Sequence, residues 1–374
     1  MDSGWVPGAK DDHVSVTEIS VTGGREYTVS IGRDLLARAE DEVVSRLGAN
    51  VSKVLIVHPP TLGVLASQLR EKLMGSCEVL LAEVPDGESA KRIEVASFCW
   101  QVMGQADFTR SDAVIGFGGG AITDLAGFVA ATWLRGVRLI QIPTTVLGMV
   151  DASVGGKTGI NTAEGKNLVG SFYAPHSVIC DLDILAGLPR NELLAGFAEV
   201  VKYGFIAEPE ILDILERDVN VATDPTTDEF RRLIELSVGI KARVVSGDFD
   251  EQGEREILNY GHTLGHAIEH AERYSWRHGV AVSIGMVFAA ELSRMTENLS
   301  DAVVERHRRI LSSLTLPTEY KAEAWDHLLA TMKRDKKARG SMLRFVVLSD
   351  EAKPKILNVP DTSILFTAYQ EICS

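Results

Sequence analysis

Short β-branched runs recur through the first half of the chain: Lys53-Val-Leu-Ile-Val57, Glu78-Val-Leu-Leu-Ala82, Asp112-Ala-Val-Ile-Gly116 and Arg138-Leu-Ile-Gln-Ile142. Helical patterns lie between several of them, and strands that alternate with amphipathic helices pack as a largely parallel sheet in an α/β layered domain. After about residue 185 the period changes. Asn191 to Glu216, Thr227 to Ser246 and Ala281 to Asn298 all repeat their apolar residues at helical spacing. The pattern predicts an α/β domain over residues 1–184 and a mainly α-helical domain over 185–374. The length of 374 residues and a hydrophobic content of 45% suit two well-filled cores.

Charge narrows the partners. With 38 Lys and Arg against 52 Asp and Glu, the net charge is −14, which excludes a nonspecific electrostatic grip on nucleic acid or anionic lipid. Any anionic ligand must be held by a local basic cluster. Cys77, Cys99, Cys180 and Cys373 are scattered and form no CxxC pair, so neither a disulfide framework nor a thiolate zinc site is indicated. The start, Met1-Asp-Ser-Gly-Trp-Val-Pro, has no basic segment followed by an apolar run, and no stretch approaches the length needed to span a bilayer. The expectation is a cytoplasmic protein.

Ala113-Val-Ile-Gly-Phe-Gly-Gly-Gly-Ala-Ile-Thr-Asp124 reads as a buried strand, a turn of Gly118, Gly119 and Gly120, and a helix running toward Trp133. Glycines let a ligand approach the backbone, and the free N–H groups of a helix start favour a phosphate. Gly116, Gly118 and Ala121 satisfy a loose dinucleotide fingerprint, although no acidic residue follows at the distance expected for a ribose contact. A tight strand-to-helix turn with no ligand satisfies the same glycines.

In Leu258-Asn-Tyr-Gly-His-Thr-Leu-Gly-His-Ala-Ile-Glu-His270, residues His262, His266 and His270 fall four apart on one helical face. One histidine of this kind is most often an ordinary hydrogen-bonded side chain; three on one face point to a metal or to acid–base work. The metalloprotease pattern is absent, because Thr263 stands where that motif needs Glu. His278 and Glu199, the latter set in Ala195-Gly-Phe-Ala-Glu-Val-Val-Lys202, offer further ligands suited to zinc or a related divalent ion.

Val150-Asp-Ala-Ser-Val-Gly-Gly-Lys-Thr-Gly-Ile-Asn161 leads into Gly165-Lys-Asn167, a glycine-rich polar loop whose lysines and N–H groups can wrap an anion. It lacks the spacing of a nucleotide-hydrolysing P-loop. Lys333-Arg-Asp-Lys-Lys337 reads by itself as an exposed charge run.

Taken in order, these blocks closely resemble the dehydroquinate synthase family of sugar phosphate cyclases. The resemblance rests on Pro85-Asp-Gly-Glu88 with Lys91, Gly118-Gly-Gly120 with Asp124, Pro143-Thr-Thr145, Asp151-Ala-Ser-Val-Gly-Gly-Lys-Thr158, Gly196-Phe-Ala-Glu-Val-Val-Lys202, Asn259-Tyr-Gly-His-Thr-Leu-Gly-His266, His278-Gly279 and Asp335-Lys-Lys337. It implies a metal site of Glu199, His262 and His278, whereas helical spacing alone selects His262 with His266. It implies a substrate site of Lys157, Asn167, Lys202, Lys241, Arg255, Asn259, His266 and one lysine of Lys336 and Lys337. It implies NAD contacts from Asp86, Glu88, Lys91, Gly118, Gly119, Gly120, Asp124, Thr144, Thr145, Asp151, Lys157 and Lys166.

The activity so implied is cyclisation of 3-deoxy-D-arabino-heptulosonate 7-phosphate, a phosphorylated sugar acid, to 3-dehydroquinate and phosphate in the shikimate pathway. NAD is transiently reduced, the metal is zinc or cobalt, and the chain is a homodimer. Two departures stand out: the strand ending Val57-His-Pro-Pro60 has no acid where many relatives place one near the ribose, and Thr123 and Val280 replace commoner residues. The alternatives are an amino-dehydroquinate or other cyclase, a metal-dependent polyol dehydrogenase, and a non-catalytic dinucleotide sensor. Arg255, Asn259 and His266 follow the dehydroquinate pattern, and a sensor has no need of a substrate-side histidine.

Overall fold

The computed structural model describes residues 16–336, 342–359 and 361–374. Its first half is built on β1 (Thr17–Val21), β2 (Tyr27–Gly32), α1 (Ala39–Leu47), β3 (Lys53–His58), α2 (Gly63–Leu73), β4 (Glu78–Glu83), α3 (Ile93–Gln105), β5 (Ala113–Gly118), α4 (Gly120–Thr132) and β6 (Arg138–Pro143). A hairpin of β7 (Lys157–Thr162) and β8 (Gly165–Phe172) follows, then β9 (Ser177–Asp181). The seven-stranded sheet runs β1-β2-β9-β6-β5-β3-β4, parallel throughout except for the β1–β2 pair. β5 is buried at every position, as a central parallel strand covered on both faces must be.

From β3 the chain steps outward to β4, then crosses to the other side of β3 for β5 and β6. The order therefore reverses between β3 and β5, and the crevice outside the carboxyl ends of strands at such a reversal is where open α/β sheets bind ligands. The turns at those ends are His58-Pro-Pro60, Pro85-Asp-Gly-Glu88, Gly118-Gly-Gly120 and Pro143-Thr-Thr145.

The second half comprises α5 (Arg190–Ile206), α6 (Glu210–Arg217), α7 (Val219–Ala222), α8 (Asp228–Gly247), α9 (His262–Ala271), α10 (His278–Glu297), α11 (Asp301–Ser313) and α12 (Trp325–Lys336), then an antiparallel pair, β10 (Leu343–Leu348) and β11 (Pro354–Val359), and α13 (Ser363–Gln370). The helical segment expected over Asn191 to Glu216 is two helices, interrupted where Pro209 cannot donate to the ladder. The stretch expected to be a polar loop after Val150 is a π-type turn over Gly148–Ala152 followed by the β7–β8 hairpin. One apolar core contains Val21, Tyr27, Val29 and Ile31 from β1 and β2 together with Phe197, Phe230, Leu264 and Val282 from the helices. The sheet edge is thus packed into the helical half.

Contrary to the reading that no stretch is long enough to span a bilayer, α10 has the length and apolar composition to do so. Among the described residues it is the central core helix, buried at fourteen positions from Gly279 to Ser293. Close approach explains its position. A Cβ placed on Gly279 would stand 1.8 Å from the carbonyl oxygen of Ala195 on α5, and one on Gly285 1.9 Å from that of Gly261, just before α9. α10 is therefore in near-backbone contact with α5 and with the start of α9, the helices that carry Glu199 and His262.

Gly279→Ala should accordingly push α5 and α10 apart. The overpacking should cost about 1–3 kcal/mol, read as a lowered denaturation midpoint in denaturant titration at unchanged m-value. A variant as stable as the parent would show that the approach is not required.

Candidate active site

Glu199 is fully buried on α5, in the run Leu193–Ile206 where twelve of its neighbours are also buried. Its Oε1 lies 3.4 Å from His262 Nε2 at the start of α9 and 3.4 Å from His278 Nε2 at the start of α10, and Lys202, one helical turn on, contacts Oε2. Among the described residues neither carboxylate oxygen accepts a well-aligned hydrogen bond. Burial pushes the Glu199 carboxyl upward, but Lys202 and His262 outweigh it and leave it at about 2. His262, buried between cationic neighbours, is pushed down to about 3 despite Glu199. His278, only partly buried, is carried up to about 10 by Glu269 and Glu199 against the cost of desolvation.

The donor atoms of Glu199, His262 and His278 all lie within 4.8 Å of one another. An anionic oxygen with two imidazole nitrogens, in a pocket where the oxygens accept no well-aligned hydrogen bond from the described residues, fits a divalent ion of the zinc or cobalt type. His266 clusters with this pair, its ring centroid 5.3 Å from His262 and 6.0 Å from His278, but its side chain is exposed. It belongs to a second group, with Glu269 and His278. His270, the third histidine of the helical series, stacks toward His327 instead, at 5.8 Å.

Around this cluster the expected anion-binding residues converge in part. Lys241 on α8 is buried and contacts Asp151, which sits in the π-type turn and also accepts from Tyr203 Oη at 3.2 Å. Burial pushes Lys241 down to about 8 against the pull of Asp151, while Asp151, half-buried beside Lys241 and Lys202, is held well below the usual carboxylate range. Arg255 is 1% exposed and donates to the Phe249 carbonyl at 2.5 Å. Lys157 pairs with Glu251 at 2.8 Å, and Asn259 donates to the same carboxylate at 3.4 Å. Lys337 and the side chain of Lys336 lie outside the described residues.

On the cofactor side, Lys91 is buried and bridges Asp124 on α4 and Asn167 on β8. Glu88 accepts from Asn161 at 2.6 Å and pairs with Lys166 at 3.3 Å, and Asp86 caps the turn through Gly87 N–H. Gly119 caps α4 in extended geometry, and a Cβ there would stand 3.2 Å from the Thr145 methyl, so Gly119 and Thr145 face each other across the crevice floor. Thr144 is buried. The glycine cradle and helix start fit a dinucleotide phosphate. The missing acid at the end of β3 remains missing, although the parallel register sets His58 beside Glu83 of β4.

Sequence reasoning missed Glu251, Glu269 and Tyr260. Glu269 had a signal, since 262, 266 and 269 share one helix face. Tyr260 supplies the carbonyl that accepts from His262 Nδ1 at 3.0 Å, and its hydroxyl meets His307 Nε2 at 2.9 Å. His307 stacks on Phe205 and donates from Nδ1 to the Val303 carbonyl at 2.7 Å.

By fold and by sequence the chain stands with the sugar phosphate cyclases. The family model for the N-terminal part of 3-dehydroquinate synthase matches residues 81–195, and that for its C-terminal part matches residues 196–338. A 3-dehydroquinate synthase of Leifsonia xyli subsp. xyli is 72% identical over 358 residues, covering 96% of this chain and 99% of the relative. One from Paenarthrobacter aurescens is 60% identical over 96% of this chain and 99% of its own length. Among solved structures, a 2-deoxy-scyllo-inosose synthase complexed with carbaglucose-6-phosphate, NAD+ and Co2+ superposes with a TM-score of 0.84 at 25% identity, covering 95% of this chain and 100% of that one. A 2-epi-5-epi-valiolone synthase from Streptomyces hygroscopicus subsp. jinggangensis, with NAD+ and Zn2+ bound, gives 0.85 at 25% identity, covering 95% and 98%. The chain belongs to the 3-dehydroquinate synthase family, and its enzymatic activity is that of the family.

The buried neutral His307 predicts an acid sensitivity. Burial pushes its imidazole down to about 3 from an unfolded value of about 6.5, so between those values the unfolded chain binds the extra proton. Its contribution to stability is present above about pH 6.5 and is lost as pH falls toward 3. His307→Phe should unfold more easily near neutrality yet lose less further stability between pH 6.5 and 4.5 than the parent, measured by denaturant titration at each pH.

Proposed function

We propose that the chain converts 3-deoxy-D-arabino-heptulosonate 7-phosphate to 3-dehydroquinate and phosphate, with NAD and zinc or cobalt as cofactors. The observation that carries the reading is the buried Glu199 carboxylate, paired with Lys202, without a well-aligned hydrogen bond among the described residues, and faced by two imidazoles beside a lysine- and arginine-rich wall. When bound, the metal supplies a Lewis acid and NAD a reversible hydride acceptor.

The chain's own residues hold charge and geometry. Lys157, Asn167, Lys202, Lys241, Arg255, Asn259 and one of Lys336 and Lys337 are assigned to the substrate carboxylate and phosphate. Each charge-assisted hydrogen bond is worth about 1.5–3 kcal/mol, enough to overcome long-range repulsion by a protein of net charge −14. His266, exposed beside the ligand pair, is assigned to proton transfer on the substrate side. Asp86, Glu88, Lys91, Gly118, Gly119, Gly120, Asp124, Thr144, Thr145, Asp151, Lys157 and Lys166 are assigned to NAD. We assign residues 1–184 to the cofactor domain and 185–374 to the metal and substrate domain. Four unbridged cysteines suit a reducing cytoplasm, and exposed Leu168 and Phe172, on one face of β8, offer apolar surface for a homodimer.

Incubation with the heptulosonate phosphate, NAD and zinc or cobalt should release phosphate in step with carbocycle, with no NADH accumulating at its absorbance band. Stoichiometric NADH would convert the reading to a dehydrogenase, a net hydride transfer on the same fold.

His278→Ala should lose the metal, whereas His266→Ala should retain it and turn over slowly. Elemental analysis of both purified variants checks this, and equal metal loss would return the ligand role to the i, i+4 pair on α9.

A further inference from the structure

Glu269 has no part in the assignments above, yet it touches a metal ligand and is 3% exposed on α9. Its Oε2 lies 3.2 Å from His278 Nδ1, while Nε2 of the same ring faces Glu199 Oε1 at 3.4 Å. Its Oε1 lies 3.2 Å from Lys166 on β8, and Lys166 in turn lies 3.3 Å from Glu88, in the turn after β4. A single ammonium group therefore joins a carboxylate of the cofactor turn to the carboxylate behind His278.

We propose that Glu269 is a positioning residue for His278 and that, through Lys166 and Glu88, it couples dinucleotide binding to metal binding. The inference rests on the metal site assigned above. A carboxylate accepting from Nδ1 fixes the tautomer that leaves the Nε2 lone pair toward the ion and makes the ring a stronger donor. His262 has the neutral Tyr260 carbonyl in the corresponding place, so the two imidazoles are held unequally. Lys166 is shared, and the charge it gives to Glu88 is withdrawn from Glu269. A dinucleotide arriving at the turn and engaging Lys166 frees Glu269 to bond His278 more strongly, which tightens the metal. Linkage requires the converse, with metal tightening the dinucleotide by the same factor.

The test uses the full chain stripped of metal and titrated with cobalt against a chromogenic chelator, with and without NAD at a concentration that saturates each protein. Fold is checked by circular dichroism. NAD should tighten cobalt in the parent by about fivefold or more. Glu269→Ala should weaken cobalt by about tenfold to a hundredfold and alter the visible cobalt spectrum. Glu269→Gln, which keeps an acceptor but no charge, should fall between, and both variants should lose the NAD-dependent tightening. If Glu269→Ala fails to fold, the isosteric Glu269→Gln decides. Parent-like cobalt affinity and spectrum in Glu269→Gln overturn the positioning role, and an undiminished NAD shift overturns the coupling. Glu199→Gln and His262→Ala separate the two levels: if they lose cobalt while Glu269 variants bind normally, the metal site stands and this proposal falls. If they too bind as the parent does, the site assignment itself has failed.

Discussion

A buried carboxylate that accepts no well-aligned hydrogen bond from the described residues is the constraint on which the site depends. Glu199 is fully buried where α5 packs against other elements, and an ionised group in that position is tolerated only with cationic company. Lys202 supplies a charge from the same helix, while His262 and His278 arrive from two others. The two imidazoles can face the carboxylate only if three helices meet at one point, and the glycines at 279 and 285 permit that meeting because no side chain stands between backbones. Removing one cationic partner leaves an uncompensated charge, which costs more than the pair contributes.

The crevice obeys a different logic. Its floor is made of the carboxyl ends of parallel strands, where N–H groups and glycine turns converge because of how the sheet is wound. Charge there is arranged in alternating pairs: Lys91 with Asp124, Lys166 with Glu88, Lys241 with Asp151, Lys157 with Glu251. Every lysine in this set already has a carboxylate. An incoming anion must therefore exchange for a partner, which favours a ligand bearing charge at several points over a simple monoanion.

Much of this was legible from the chain. The four β-branched runs stand where strands stand, each within two residues, because buried parallel strands are continuous apolar runs. The helix after Gly120 was equally visible. The β7–β8 hairpin was not, because its glycines and polar residues carry no alternation and β8 is solvent-facing along most of its length. Helical spacing selected His262 with His266 and set them on one face, but it could not bring in His278, which reaches Glu199 from another helix through tertiary packing. Glu251 was invisible because its role depends on where Lys157 and Asn259 come to rest.

The apolar core that β1 and β2 share with the helices has a consequence for how such chains can diversify. The change of sequence period near residue 185 and the junction between the two family models at residues 195 and 196 both suggest interchangeable halves. The core ignores that division, since Val21, Val29 and Ile31 are packed with residues more than two hundred positions away. A recombinant joined at the period change would inherit half its packing from each parent, with mismatched volumes across a surface that has no slack. Exchange between relatives is therefore constrained to carry the first two strands along with the helices they support, and a crossover that respects the fold must fall twice rather than once.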